Sequence, residues 1–129
     1  MRLLVDANAL LFAVDQPARL GARAAFALQD PANQLLLSAA TIWEISIKVG
    51  LKKLVLTSLY REWISNAVHD LGMSVLPITA DYADAQIRLP MLHRDPFDRL
   101  LVAQAQVEKI PIVSSDAILD QYGITRVWA

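Results

Sequence analysis

The chain has 129 residues, of which 55% are hydrophobic and only 19% charged, with a formal net charge of −1. This length fits one domain, residues 1–129, with a single core, and the composition excludes intrinsic disorder. The absence of cysteine excludes disulfides and thiolate metal sites and favours the reducing cytoplasm, and the near-neutral charge excludes a generally basic nucleic-acid-binding surface.

The N-terminal segment predicts no membrane association. The apolar run MRLLVDANALLFAV is interrupted by Asp6 and Asn8, and no small-residue cleavage site follows it. We therefore expect no signal peptide. No apolar stretch of the chain is long enough to span a bilayer.

Strand and helix patterns alternate from the start of the chain. RLLVD predicts a buried strand, because it is continuously apolar, as parallel sheets require. ANALLFAV predicts a helix that ends before Pro17, and LGARAAFALQD predicts a second helix that ends at Asp30-Pro31. QLLLSA predicts the second strand, and TIWEISIKVG predicts a helix with Gly50 near its end.

The alternation continues in the second half. TSLYREWISNAVHDLG predicts a helix that Thr57 or Ser58 caps and that Gly72 ends. MSVLPIT predicts a third strand, TADYADAQIRLP a helix that stops before Pro90, DPFDRLLVAQAQVEK a helix, IPIVSSD a fourth strand and ITRVWA a short last strand. The order predicts an α/β fold with a parallel sheet of four to five short strands and helices on both faces. The functional crevice of such a fold lies beyond the carboxyl ends of its strands.

Four acids are expected near that edge of the sheet. Asp6 closes the first strand and Asp116 follows the fourth; Glu44 lies in an otherwise nearly apolar helix, and Asp98 lies in the first turn of the helix before the fourth strand. Two charges about 4 Å apart repel by roughly 4 kcal/mol at an effective dielectric of about 20, so convergence requires protonation or a divalent cation. Oxygen ligands suit Mg²⁺ or Mn²⁺, which can activate a water for attack on a phosphodiester.

These acids also have purely structural interpretations. Asp6 and Asp116 can cap the segments that follow them, and Glu44 can pair with Lys48 at i, i+4. Taken singly, none of the acids is convincing as a site residue. Taken jointly, the placement of two acids at strand ends and two on helices favours a site.

The charged stretch HRDPFDR combines a helix start with a candidate ligand. Asp95 is expected to be the N-cap, with Pro96 in the favoured first helical position. Asp98 can reach back to the cap as a capping-box partner or forward into the crevice, and the other three acids favour the crevice. His93 is interpreted as a surface loop residue, while Arg99 and Lys48 are basic residues that can support the site or its substrate.

Four segments of the chain resemble, in order and spacing, the motifs of PIN-domain ribonucleases: LLVDANALLFA, SAATIWEISIKVGLKKL, HRDPFDRLLVAQA and IVSSD. Within that family the likeness is greatest to the VapC-type toxins of bacterial toxin–antitoxin pairs. The resemblance covers essentially the whole chain. It implies a magnesium- or manganese-dependent endoribonuclease whose catalytic and metal-binding acids are Asp6, Glu44, Asp98 and Asp116. Asn8 matches a polar position after the first acid, and Ser115 matches the small polar residue before the last one.

The resemblance also implies partners. It predicts RNA as the substrate, a homodimer, and a cognate antitoxin that lays a helix or strand into an apolar groove and blocks the site with a basic side chain. The apolar face of ANALLFAV and the segments near Trp43 and Trp63 are expected to line that groove. We expect the protein to act in the cytoplasm, without a membrane.

The same residues are compared with the requirements of three other functions. An aspartate-nucleophile phosphatase needs a second aspartate two residues after the first, where this chain has Asn8. A phosphorylatable receiver domain needs an acceptor aspartate after the third strand and a lysine after the last, but PIT follows the third strand and no lysine fits the end. A non-catalytic interaction domain has no positive support, because all four acids are present.

Overall fold

A single parallel sheet organises the computed structural model, which describes residues 1–129. Its strands are β1 (Arg2–Val5), β2 (Gln34–Ser38), β3 (Ser74–Leu76), β4 (Ile112–Val113) and β5 (Arg126–Val127), in the spatial order β3-β2-β1-β4-β5. β1 pairs with both β2 and β4. The predicted parallel sheet of four to five strands is confirmed and has five strands, and the first and fourth strands are neighbours where the strand order reverses.

Six α-helices surround the sheet, and each corresponds to a helix predicted from the sequence. They are α1 (Ala7–Asp15), α2 (Ala22–Gln29), α3 (Ala39–Gly50), α4 (Tyr60–Asp70), α5 (Ala80–Ile87) and α6 (Pro96–Glu108), with short 3-10 helices at Pro17–Arg19 and Ala117–Tyr122. The helix ends follow local chemistry: Gly72, with φ +61°, takes the left-handed conformation after α4, as predicted. None of the helices combines the length and the hydrophobicity needed to span a bilayer.

The core lies on both faces of the sheet, which explains why the strands are continuously apolar. Successive strand residues point to opposite faces. Leu3 and Val5 pack in a cluster with side chains of α1 to α4, including the fully buried Trp63. Leu4 packs on the other face with Leu101 and other side chains of α6 and the second 3-10 helix. Helices therefore cover both faces, as predicted.

The start of α4 differs from the sequence-based expectation. Leu59 occupies the N-cap position, and no side chain caps the helix. The Thr57 hydroxyl instead donates to Asp15 Oδ1 at 2.7 Å, and Trp63 Nε1 donates to the same oxygen at 2.9 Å. The prediction that Thr57 or Ser58 caps α4 is wrong, because the Thr57 hydroxyl joins the loop to the end of α1.

Candidate active site

Asp6 and Asp116 lie together at the carboxyl edge of the sheet, each just after one of two neighbouring strands. Asp6 follows β1 and is 6% exposed; its Oδ1 accepts from the Ala9 backbone N–H at 2.8 Å and so caps α1. Asp116 follows β4, and its Oδ1 accepts from the Ile118 N–H at 3.0 Å. Both acids therefore cap a helix with one oxygen, and the cap and site interpretations are compatible.

Glu44, on α3, is a buried acid with only one of its oxygens satisfied. Its side chain is 6% exposed, and Oε2 lies 2.8 Å from Lys48 Nζ, so the expected i, i+4 pair exists. Oε1 is buried without any hydrogen-bond partner. An unpaired carboxylate oxygen in the interior costs about 1–3 kcal/mol or more. This oxygen is available to a cation.

The two aspartates at the start of α6 have different environments. Asp95 is the N-cap: its Oδ1 accepts from the Phe97 N–H at 2.9 Å, and Pro96 is the first helical residue, as predicted. Asp98 makes no capping bond, and its Oδ2 lies 3.1 Å from His93 Nε2. Asp98 thus points into the crevice toward the other acids.

His93 lies within the acidic cluster, and its interpretation as a surface loop residue is wrong. Its side chain is only 16% exposed, and Nε2 lies 2.8 Å from Asp116 Oδ2 as well as 3.1 Å from Asp98 Oδ2. Ligand atoms of these three residues all lie within 4.8 Å of one another. Hydrophobic periodicity carries no signal for such a loop residue. The only hint in the sequence is its position two residues before the cap of a helix that carries a candidate ligand.

Ser114 is a second site residue that the sequence did not single out. It is fully buried; its hydroxyl oxygen accepts from the Asp116 N–H at 3.0 Å, and it hydrogen-bonds the Asp6 side chain. The predicted support residues Ser115 and Asn8 are exposed and make no hydrogen bond to the acids. Of the two serines in the SSD segment, Ser114, the one nearer the strand, therefore faces the acids.

Arg99 has a structural role, which corrects its assignment as a residue that supports the site or substrate. It is 7% exposed, and its guanidinium donates to the carbonyls of Pro90 at 2.9 Å, Gln86 at 3.0 Å and Leu89 at 3.3 Å. Its donors hold the end of α5 against α6. Lys48, by contrast, stays beside the site through its pair with Glu44.

Burial makes two of the acids hold their protons unusually strongly. Loss of solvation raises the pKa of Asp6 to about 6; hydrogen bonds from Ser114 and Ala9 oppose this effect, and the charges of Glu44 and Asp116 add to it. Loss of solvation also raises the pKa of Asp98 to about 7, the charge of Asp95 adds to the effect, and His93 opposes it. Burial is therefore the main cause of both raised pKa values, and neighbouring acids add to it.

The donor set fits a hard divalent cation. Asp6, Glu44, Asp98 and Asp116 offer carboxylate oxygens, and the buried Glu44 Oε1 lacks any other partner. Mg²⁺ and Mn²⁺ prefer such oxygen ligands, and the positive charge of a bound cation would favour the ionised forms of Asp6 and Asp98, which burial disfavours and neighbouring acids disfavour further. The residues present therefore satisfy the chemical requirements of a magnesium or manganese site.

An aromatic pair, the exposed Trp43 and the half-buried Phe97, flanks the acids. Trp43 precedes Glu44 on α3 and is 60% exposed, and its ring packs edge-on against Phe97 at a centroid distance of 5.6 Å. Phe97 precedes Asp98 on α6. Trp63 is fully buried, so its own side chain belongs to the core. The largest clefts lie at the opposite edge of the sheet, around Arg2 and Pro111, away from the acids.

The fold agrees with the comparisons with known proteins. The sequence matches the PIN domain family over residues 3–124, and the chain belongs to that family. The phosphatase and receiver-domain alternatives gain no support from this match. No curated protein matches the sequence significantly.

Solved structures of VapC toxins share this fold. VapBC2 from Rickettsia felis, solved with a fragment of promoter DNA, has 13% identity and a TM-score of 0.76 over 100% of both chains. VapBC-1 from nontypeable Haemophilus influenzae has 14% identity and a TM-score of 0.64, covering 98% of this chain and 96% of that one. VapC20 from Mycobacterium tuberculosis, a toxin that cleaves the sarcin–ricin loop, has 16% identity and a TM-score of 0.66, covering 98% of this chain and 99% of that one.

Proposed function

We propose that this PIN domain is a metal-dependent endoribonuclease, the toxin of a bacterial toxin–antitoxin pair, which hydrolyses RNA phosphodiesters in the cytoplasm. The observation that carries the proposal is the acidic edge of the sheet: ligand atoms of Asp98, Asp116 and His93 lie within 4.8 Å of one another, and the buried Asp6 and Glu44 are near enough to raise the pKa of Asp98. Glu44 Oε1 is also buried and unpaired. The family match and the RNA-cleaving activity stated for VapC20 support the same conclusion.

In this proposal the four acids hold Mg²⁺ or Mn²⁺. When bound, the cation supplies the positive charge and Lewis acidity that activate a water and stabilise the phosphodiester during attack. Metal binding would compete with protons at these acids, chiefly at Asp98, whose pKa of about 7 leaves it partly protonated near neutral pH; Asp6, with a pKa of about 6, would compete below neutral pH. Lys48 pairs with Glu44 Oε2, and Oε1 has no hydrogen-bond partner in the protein.

RNA is the proposed substrate, in a single-stranded or looped form. Trp43 and Phe97 lie directly beside two of the acids, and the exposed Trp43 ring offers a stacking surface to an unpaired base. Stacking tolerates many sequences and needs no generally basic surface. This fits a chain whose net charge is −1.

The proposed partners are a cognate antitoxin and a second copy of the chain. The acidic cluster attracts a basic side chain, and the segment between α3 and α4 exposes the apolar residues Leu51, Val55 and Leu59, on which an apolar antitoxin segment can pack. Light scattering is expected to give twice the chain mass of 14.3 kDa. A monomer at all concentrations would contradict the dimer.

A cleavage assay tests the proposed function. Purified chain is incubated with a fluorogenic RNA library in Mg²⁺, in Mn²⁺ and in excess chelator. We expect cleavage with either metal, none in chelator, and recovery when the metal is restored. The matched control is Asp98→Asn, which should fold and remain inactive. Equal activity in chelator, or in Asp98→Asn, would contradict the proposal.

A further inference from the structure

His93 connects three parts of the site through its backbone and both ring nitrogens. Its backbone N–H donates to the Tyr122 hydroxyl at 2.8 Å, and its Nδ1 accepts from the Asp95 backbone N–H at 3.1 Å. Nε2 faces Asp116 Oδ2 at 2.8 Å and Asp98 Oδ2 at 3.1 Å. The chemistry proposed above assigns this residue no task.

The contacts of the ring define its tautomer. The Asp95 N–H must meet a lone pair, so Nδ1 carries no hydrogen, and the hydrogen of the neutral ring lies on Nε2. Nε2 is therefore the donor, and it faces two carboxylate acceptors. Asp95 is itself fixed as the N-cap of α6, because its carboxylate accepts from the Phe97 N–H at 2.9 Å. The start of α6 thus sets both the orientation and the tautomer of His93.

We propose that His93 is a positioning residue: its Nε2–H holds the Asp98 and Asp116 carboxylates side by side, and His93 itself does not bind the metal. The inference rests on the proposed function for the identity of the site. Coordination through Nε2 would require the hydrogen to move to Nδ1, where it would meet the Asp95 N–H. The ligand set remains all-oxygen, and two of its members are oriented before the cation arrives.

The tautomer is measurable directly by ¹⁵N NMR of the histidine rings. The chain has two histidines, and His69, with a side chain 89% exposed, is an internal reference. We expect His93 to show an unprotonated Nδ1 and a protonated Nε2, both without metal and after addition of Mg²⁺. A hydrogen on Nδ1, or loss of the Nε2 hydrogen when Mg²⁺ is added, would overturn the proposal.

Binding of Mn²⁺, measured by calorimetry, tests the positioning role. Removal of a residue that orients metal ligands typically weakens metal binding by about 10- to 100-fold, and we expect that loss for His93→Phe. His93→Gln should recover part of the affinity, because its amide both donates and accepts. The matched control, His69→Phe, should bind as the wild type does. A folded His93→Phe with wild-type affinity would contradict the proposal.

Neither measurement depends on RNA cleavage, so the two proposals can fail separately. A wild-type chain that binds Mn²⁺ but cuts no RNA would contradict the proposed function. The Mn²⁺ affinities of the His93 variants would still decide whether His93 positions the metal ligands. If His93→Phe does not fold, His93→Gln and the NMR measurement on the wild-type protein decide the question.

Discussion

Asp95 and Asp98 stand three residues apart at the start of α6, and the structure separates their tasks. Asp95 caps the helix through the Phe97 N–H, whereas Asp98 faces His93 and the other acids. Asp95→Asn should keep most activity, because asparagine caps as well as aspartate, and Asp95→Ala should cost about 0.5–2 kcal/mol of stability. Asp98→Asn should abolish cleavage while the fold survives, because a neutral amide is a poor ligand for a hard cation.

Cleavage rates and melting curves of these three variants check the assignment. An active Asp98→Asn beside an inactive but folded Asp95→Asn would mean that the cap and the ligand have been exchanged. Loss of both activity and folding in Asp98→Asn would instead give this carboxyl a structural role that its contacts do not suggest.

The raised pKa of Asp98 predicts a pH-dependent stability of the metal-free protein. Its pKa of about 7 in the fold exceeds the ordinary value of 3.8, so the folded chain binds this proton more tightly than the unfolded chain. The resulting stabilisation is complete below pH about 4 and is lost as the pH rises through about 7. Between these limits the free energy of unfolding of the wild type should fall by roughly 1–3 kcal/mol relative to that of Asp98→Asn, after allowance for solvent screening.

Urea unfolding of both proteins in excess chelator measures this difference. Asp6, whose pKa is about 6, titrates in both proteins and cancels in the comparison to first order. Parallel stability curves for wild type and Asp98→Asn would show that Asp98 titrates normally in the fold.

Trp43 is predicted to serve substrate binding rather than folding. Its ring is 60% exposed beside Glu44, so Trp43→Ala should leave the melting temperature almost unchanged. Loss of one base-stacking surface should raise KM for single-stranded RNA roughly tenfold with little change in kcat. Steady-state kinetics test this, with Phe26→Ala as the control, since Phe26 is exposed near the opposite edge of the sheet. An unchanged KM would show that Trp43 does not contribute to substrate binding.

At the scale of elements, Arg99 fastens the end of α5 to α6. Its guanidinium donates to the backbone carbonyl of Gln86 at the end of α5 and to those of Leu89 and Pro90 in the turn that follows. Arg99→Met keeps the apolar stem but leaves those acceptors without their donor, so we expect a loss of about 2–4 kcal/mol. Chemical denaturation tests this against Arg94→Met, an exposed neighbour that should change stability little. Equal stabilities would show that water replaces the guanidinium.

The elements were predictable where local chemistry determines them. Continuous apolar runs identified the strands, and Pro96 with Asp95 located the start of α6. The start of α4 was not predictable, because Thr57 bonds to Asp15 from 42 residues away. A sequence pattern reports which side chains can cap a helix, but a competing tertiary partner decides which one does so.

At the scale of the whole molecule, the site exists only because the sheet places β1 beside β4. The order β3-β2-β1-β4-β5 brings Asp6 and Asp116 together, and the helices on either side contribute Glu44 and Asp98. The alternating pattern predicted a parallel sheet, and the placement of the four acids near strand ends and helix starts made them candidates, whereas the strand order itself had to come from the structure. His93 and Ser114 could not be predicted, because their importance depends on which way a loop side chain turns after the chain has folded.

The central claim is that the four acids form one site for a divalent cation. Anomalous X-ray scattering from a crystal soaked in Mn²⁺ tests it most directly. We predict a manganese peak bonded to carboxylate oxygens of Asp6, Glu44, Asp98 and Asp116, with His93 outside the coordination shell. A crystal that shows no peak at these acids, or a peak bound to His93 Nε2, would contradict this account of the site.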